Sequence, residues 1–252
     1  MKPYLSPAGF RIFAHRGSTE GGAIENTMEA LAFAVKSDIV YLETDVQGTK
    51  DGIAVLFHDD NLVRLAQLNK KISDFTYEQL ARLETPFGRL QVPKLSEALK
   101  AFPKAKFNID FKTTEGISPG VNAIIEARAE SRVLVSSFSP SRRALALSKL
   151  EGVATSADAW LSFELWLWHK LRARSLFRRL SRTIDALQVP VKMGPIRFDD
   201  AQLISRLKAF GVEVHFWTVN DVNEAKRLKK LGAAGIVTDC GKLMAEAFAS
   251  ER

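Results

Sequence analysis

Two of the four histidines in the 252 residues, His15 and His58, each close an apolar stretch and are followed by a charged residue: Arg16 then Gly17 in one case, Asp59 in the other. Glu43 and Asp45 stand two apart in YLETDV, and Asp110 and Lys112 stand two apart in NIDFK. In an extended strand residues i and i+2 share a face, so each pair points one way. Three converging carboxylates repel one another and are costly to bury, and Lys112 offsets only one. A divalent cation offsets the rest, and an all-oxygen donor set suits Mg²⁺ or Ca²⁺ rather than a soft metal. The competing interpretation is a structural ion-pair network with Lys112 and Arg16. Two histidines flanking an oxyanion can divide the roles of general base and general acid, with His15 favoured as base and His58 as acid. Arg16 offers a planar fork matched to phosphate, and Gly17 lets backbone approach closely. A cation, two histidines, an arginine and a lysine together suit hydrolysis of a phosphodiester.

These residues need a scaffold that brings them together. Eight strand-like stretches occur: RIFAH, IVYLETDV, KFNIDFK, RVLVSSF, GVATS, ALQVPV, VEVHFWTV and AGIVTD. They alternate with helical patterns at 25–36, 95–101, 119–129, 140–150, 160–182, 199–210 and 222–231, and a last helix runs over 242–249. Strict alternation implies a parallel sheet, and eight units favour a closed (β/α)₈ TIM barrel over an open doubly wound sheet. No G-x-G-x-x-G follows the first strand, which disfavours the dinucleotide-binding version. Barrel chemistry collects at the C-terminal ends of the strands, where His15, Glu43, Asp45, Asp110, Lys112 and Trp217 fall. One piece departs from the alternation. An extra strand, IAVLFH, ends in His58, and a polar stretch with one short helix follows. Residues 59–92 are therefore read as a small insertion after the second strand of a single domain over 1–252.

The composition, 46% hydrophobic and 26% charged, is that of a soluble globular protein. Cys240 is the sole cysteine, so no internal disulfide forms. The start, MKPYLSPAGFRIF, lacks the apolar core of a secretory signal, and no apolar run is long enough to span a membrane. A cytoplasmic location is expected. The net charge of +7 is uneven: Lys170, Arg172, Arg174, Arg178, Arg179 and Arg182 face only Glu164 in their segment. Residues 160–182 are read as one long helix with Ala173, Leu176, Phe177 and Leu180 in an apolar stripe, extended by Trp166. Such an element suits peripheral contact with an anionic membrane, weighed against an ordinary barrel helix with solvated arginines. Trp217 is expected to line the pocket, His215 to lie in the core and His169 to be exposed, while Gln188 and Lys192 flank the sixth strand within reach of substrate. Basic and aromatic residues interleave on that one helix alone, so no nucleic-acid partner is indicated.

The order and spacing of HRG at 15–17, IENT at 24–27, ETD at 43–45, DG at 51–52, HD at 58–59, IDFK at 109–112, WTVN at 217–220 and GIVTD at 235–239 resemble the glycerophosphodiester phosphodiesterases, from about Phe10 to Met244. The resemblance implies a TIM barrel with a small insertion after the second strand. It implies one divalent metal on Glu43, Asp45 and the third-strand acid, here Asp110, with His15 and His58 as the acid–base pair. Arg16, Lys112 and Trp217 are assigned to the substrate. The substrate class is a glycerophosphodiester, cleaved to an alcohol and glycerol 3-phosphate. A lysophospholipase D-like activity on lysophospholipids and a non-catalytic barrel that binds anionic lipid are the alternatives. Three positions depart from the family pattern: Ile24 stands where proline is usual, Asp110 where glutamate is common, and Gly241 where proline is frequent.

Overall fold

The computed structural model describes residues 2–86 and 88–249. Eight short strands rich in Val, Ile, Leu and Phe are buried along most of their length, as expected of a parallel sheet covered on its outer face and packed inside. They are β1 (Arg11–Ala14), β2 (Tyr41–Gly48), β3 (Lys106–Phe111), β4 (Val133–Ser136), β5 (Ala154–Thr155), β6 (Ala186–Pro190), β7 (Glu213–Trp217) and β8 (Gly235–Thr238). Their order is β5-β4-β3-β2-β1-β8-β7-β6, all parallel. The two end strands meet through a parallel bridge between Ser156 and Ala186, supported by Ala157 N–H donating to Ala186 O at 3.0 Å. Each strand therefore lies beside its neighbours in sequence and β8 lies beside β1, which makes a nearly closed eight-stranded barrel. The open doubly wound sheet does not form.

Nine α-helices surround it among the described residues, besides two short ones in the insertion: α1 (Met28–Lys36), α2 (Leu95–Ala101), α3 (Ile117–Glu126), α4 (Pro140–Leu147), α5 (Ala159–Lys170), α6 (Arg174–Ser181), α7 (Ala201–Ala209), α8 (Val222–Lys230) and α9 (Gly241–Ala249). Thr27, Ser139, Asp158, Asp200 and Asp221 cap their helices by accepting backbone N–H bonds, which fixes where each strand-to-helix loop ends. Leu42, Val46, Phe107, Ile109 and Phe111 pack outward against α1 to α3. Leu187, Phe216 and Ile236 do the same against Leu165, Phe177, Leu203 and Leu228. At the start of the strands the N-terminal segment closes the barrel. Tyr4 and Leu5 bury against Phe13, Leu134, Ala186 and Val237, and Lys106 Nζ donates to Tyr4 O at 2.9 Å. The opposite end is left open.

His215 lies in the core, as expected. Its Nε2 is 3.0 Å from Glu213, Nδ1 is 3.3 Å from Gln188 Nε2, and its ring lies 4.7 Å from that of Phe13. Burial pushes its pKa below the ordinary value of 6.5, against the pull of Glu213. The folded chain thus keeps His215 neutral where the unfolded chain takes up a proton. Stability from this residue is present above pH 6.5 and falls as the pH drops below it. His215→Phe is expected to flatten the loss of stability between about pH 6.5 and 5 relative to wild type. Urea unfolding across that range checks it, and an unchanged slope would contradict the assignment.

The helices depart from the sequence expectation in three places outside the insertion. Helix α1 starts at Met28, not at residue 25, because Thr27 takes the cap and Glu25 and Asn26 turn back toward the barrel mouth. Residues 160–182 form two helices. A straight helix of that length would run about 34 Å at 1.5 Å per residue and leave the barrel. Instead Arg172 adopts a left-handed conformation (φ 56°), with Ala173 N–H on Trp168 O at 3.0 Å and Arg172 N–H on His169 O at 3.1 Å. This is a Schellman closure made without glycine, and it folds α6 back so that Phe177 is fully buried while Leu176 stays exposed. The same packing corrects the third point. His169 is not exposed: its side chain is 9% accessible, set against Phe177 and 3.5 Å from Asp200. Among the described residues no helix is long and apolar enough to cross a membrane.

The extra strand Ala54–Leu56 pairs antiparallel with β2. Beyond it the insertion forms two short helices, Val63–Ala66 and Tyr77–Ala81, where the sequence suggests one. Val55, Phe57, Leu62, Ile72, Leu80, Leu90 and Val92 give it a small apolar core of its own. Phe87, inside the expected insertion, lies outside the described residues.

Candidate active site

A cavity of about 290 Å³ opens at the C-terminal ends of the strands, and His15, Arg16, Glu43, Asp45, His58, Asp110, Lys112 and Trp217 all line it. Pairing of β2 with β3 sets Asp45 directly beside Asp110, and Glu43 beside Asn108. Lys112 Nζ sits between the first two, 3.0 Å from Asp45 Oδ1 and 2.6 Å from Asp110 Oδ2. Burial pushes the Asp45 carboxyl up, but Lys112, Arg16 and His58 pull it below the usual carboxylate range. Glu43 has less support. Burial and then the charge of Asp45 push it up to about 7. Burial also raises Asp110, Lys112 countering only in part, and Asp110 Oδ1 is buried with no hydrogen-bond partner.

The loop after β1 brings in the cationic fork. Arg16 (φ 52°) and Gly17 (φ 81°) are both left-handed, and a Cβ at Gly17 would lie 2.7 Å from the Ala30 backbone. The tight turn aims Arg16 N–H at Glu43 Oε2 (2.9 Å). The Arg16 guanidinium donates to Glu25 Oε1 at 2.9 Å, and its Nε lies 3.2 Å from Asp45 Oδ2. Asn26, also left-handed (φ 56°), donates to Asp45 Oδ2 at 2.9 Å and accepts from Thr44 Oγ1 at 2.7 Å. Asparagine tolerates that conformation better than most residues.

Each histidine is backed by a carboxylate. His15 Nδ1 is 2.6 Å from Asp239 Oδ1, and Asn220 Nδ2 donates to Asp239 Oδ2 at 2.8 Å. His58 Nδ1 is 2.8 Å from Asp59 Oδ1, and Arg64 Nε donates to Asp59 Oδ2 at 2.6 Å. An ionised carboxylate only accepts, so Nδ1 carries the proton in both rings and Nε2 is left for exchange. Burial lowers the pKa of His15, but the bond to Asp239 and the charge of Glu43 outweigh it and raise the net value.

Among the described residues one set of acidic and histidine side chains gathers its ligand atoms closely enough to share a cation, and it is not the set expected from the sequence. Ligand atoms of Glu25, His58 and Asp59 lie within 4.8 Å of one another, but Arg64 already bridges Glu25 (2.5 Å) and Asp59 (2.6 Å). The barrel acids are less well compensated. Burial and the charge of Asp45 push the Glu43 carboxyl up to about 7, and Asp110 has an unpartnered buried oxygen. Glu43, Asp45 and Asp110 offer only oxygen donors, the chemistry of a hard cation, but they are not gathered within 4.8 Å of one another as Glu25, His58 and Asp59 are, and Lys112 stands between Asp45 and Asp110.

The other wall is largely neutral. The Trp217 and Phe138 rings meet edge to face at 5.8 Å, and Pro190, Met193 and Phe198 continue the surface. Gln188 lines the cavity; Lys192 does not, and its neighbour Met193 takes the place. Sequence reasoning assigned no role to Asp239, Asn220, Glu25, Asn26 or Arg64. All but Arg64 lie in the quoted strings GIVTD, WTVN and IENT, which are the available signal.

The glycerophosphoryl diester phosphodiesterase family matches residues 15–241. The probable glycerophosphodiester phosphodiesterase 2 of Mycobacterium tuberculosis is 32% identical, covering 96% of this chain and 91% of that protein. A lysophospholipase D of Rattus norvegicus is 27% identical over 91% of this chain and 83% of its own length. Among solved structures, an Oleispira antarctica phosphodiesterase in complex with the product sn-glycerol-3-phosphate superposes with a TM-score of 0.75 at 24% identity, over 96% of this chain and 97% of that one. With the family matched over most of its length, the chain belongs to the glycerophosphoryl diester phosphodiesterase family.

Proposed function

We propose that the protein hydrolyses glycerophosphodiesters to an alcohol and glycerol 3-phosphate, with Mg²⁺ or Ca²⁺ on Glu43, Asp45 and Asp110 and with His15 and His58 as the acid–base pair. The observation that carries this is the presence, in one cavity, of two carboxylate-backed imidazoles beside buried acids and two cationic side chains. A bound cation supplies charge that neutralises the phosphate oxygens. Arg16 and Lys112 add fixed positive charge, and Arg16 offers two N–H groups in one plane. One imidazole takes the proton from the attacking oxygen as its bond to phosphorus forms. The other gives a proton to the alcohol oxygen as the P–O bond breaks. Asp239 and Asp59 keep each ring turned so that Nε2 performs the exchange. Cation-restored cleavage of glycerophosphocholine after treatment with EDTA tests the assignment; a rate indifferent to both would sink it.

Asp239→Asn removes the contact that raises His15. The limb of the kcat/KM–pH profile belonging to His15 is then expected to move to lower pH, and kcat to fall by about 10² as the ring loses its orientation. A profile superimposable on wild type would contradict the role of Asp239.

A second reading rests on the apolar wall. Phe138, Pro190, Met193, Phe198 and Trp217 offer a surface for a hydrocarbon portion of the leaving group, and one relative is named a lysophospholipase D. Higher kcat/KM on lysophosphatidylcholine than on glycerophosphocholine would favour it, and the reverse order would restrict the enzyme to water-soluble diesters.

A further inference from the structure

Arg64 lies outside the cavity lining, on the short helix Val63–Ala66 of the insertion, and its side chain is 47% exposed. An exposed arginine in an ordinary ion pair contributes little. This one makes two bonds that converge on the site from outside. Its Nε donates to Asp59 Oδ2 at 2.6 Å, and Nη2 donates to Glu25 Oε1 at 2.5 Å. Asp59 holds His58 Nδ1 through its other oxygen at 2.8 Å. The same Glu25 oxygen accepts from Arg16 Nη1 at 2.9 Å. One guanidinium therefore joins the carboxylate behind His58 to the carboxylate behind Arg16, and these belong to different loops. Gln47 Nε2 anchors the Asp59 carbonyl at 2.6 Å, which fixes the backbone but leaves the carboxylate free to turn. The planar fork of arginine sets the angle between the two acids; an ammonium group is a point charge and does not.

We propose that Arg64 is a positioning residue, which locks the Asp59 carboxylate and with it the His58 ring in register with Arg16, so that the insertion serves as a strap that joins two loops beside the active site. The inference rests on His58 acting as acid or base in diester cleavage.

The test compares Arg64→Ala, Arg64→Lys, Asp59→Asn and the double variant Arg64→Ala/Asp59→Asn, using kcat and KM on glycerophosphocholine at saturating cation, thermal melting, and the ¹⁵N spectrum of the histidine rings. Arg64→Ala is expected to lose about 10- to 100-fold in kcat, the lower part of the range for acid–base catalysis, with KM and melting close to wild type. Arg64→Lys recovers little of the loss, whereas millimolar guanidinium added to Arg64→Ala restores part of it. The double variant falls no further than Asp59→Asn, because both act through one ring. In the spectrum, the Nδ1 resonance of His58 is expected to shift in Arg64→Ala as its bond to Asp59 loses a fixed geometry, while those of His15 are unchanged. Wild-type kcat in Arg64→Ala, a loss confined to KM, or a loss that adds to that of Asp59→Asn would overturn the proposal. His58→Ala separates the two levels. If it retains activity, the acid–base assignment itself fails; if it is inactive while Arg64→Ala is unimpaired, only the strap fails.

Discussion

Replacing either His15 or His58 by alanine is expected to lower kcat on glycerophosphocholine by about 10²–10⁴, the usual worth of general acid–base catalysis, with little change in melting temperature. Both rings are partly open to the cavity, with side chains 21% and 32% accessible, so their removal opens no core void. Neither substitution strands a charge. Asp239 keeps Asn220 as a donor, and Asp59 keeps Arg64. The two losses should not add. Once one half of the proton exchange is gone the other half has little left to do, so the double variant is expected to fall only slightly below the poorer single one. Steady-state kinetics and thermal melting of the three variants check this, and wild-type kcat in either single variant would exclude the acid–base pair.

Asp45→Asn has the second large expected effect, and it strikes both binding and folding. Asp45 is 2% exposed and gathers Lys112 at 3.0 Å, Arg16 at 3.2 Å and the Asn26 amide at 2.9 Å. Removing its charge leaves Lys112 with Asp110 alone among its close partners and deprives Arg16 of one of its two acids. Breaking a buried pair in this way costs about 3–5 kcal/mol. Relief of the repulsion with Glu43, which helps push that carboxyl up to about 7, offsets some of the cost. Asparagine keeps a carbonyl oxygen but not the negative charge, so if Asp45 belongs to the proposed donor set, cation binding should weaken by at least about tenfold and kcat by about 10² or more. Calorimetric titration with Mg²⁺ and Ca²⁺ at a temperature well below the melting transition separates binding from stability. Unchanged cation affinity would remove Asp45 from the donor set.

The barrel was legible because its strands are short, apolar and regularly spaced. Each strand read from the sequence appears, and the period of two correctly puts Glu43 with Asp45 and Asp110 with Lys112 on shared faces. The break at Arg172 was not legible. A left-handed helix end usually announces itself with glycine or asparagine, and here arginine takes it because Phe177 is drawn into the core. The outer half of the site was hidden for a different reason. Asp239 meets His15 across 224 positions and Arg64 meets Glu25 across 39. Spacing along one strand cannot reveal contacts between loops that only barrel closure brings together. His169 shows the same limit: a histidine among basic residues near a helix end looks solvated until the returning helix covers it.

The most direct test of the central claim is ³¹P NMR of purified protein incubated with glycerophosphocholine, first in EDTA and then through a titration with Mg²⁺ and separately with Ca²⁺. The diester resonance is expected to persist in EDTA and to be replaced by that of glycerol 3-phosphate once one of the cations is added, and His58→Ala should leave the diester intact under the same conditions. Cleavage at full rate in EDTA, or no cleavage of the diester with either cation, would contradict a cation-dependent glycerophosphodiesterase at this site.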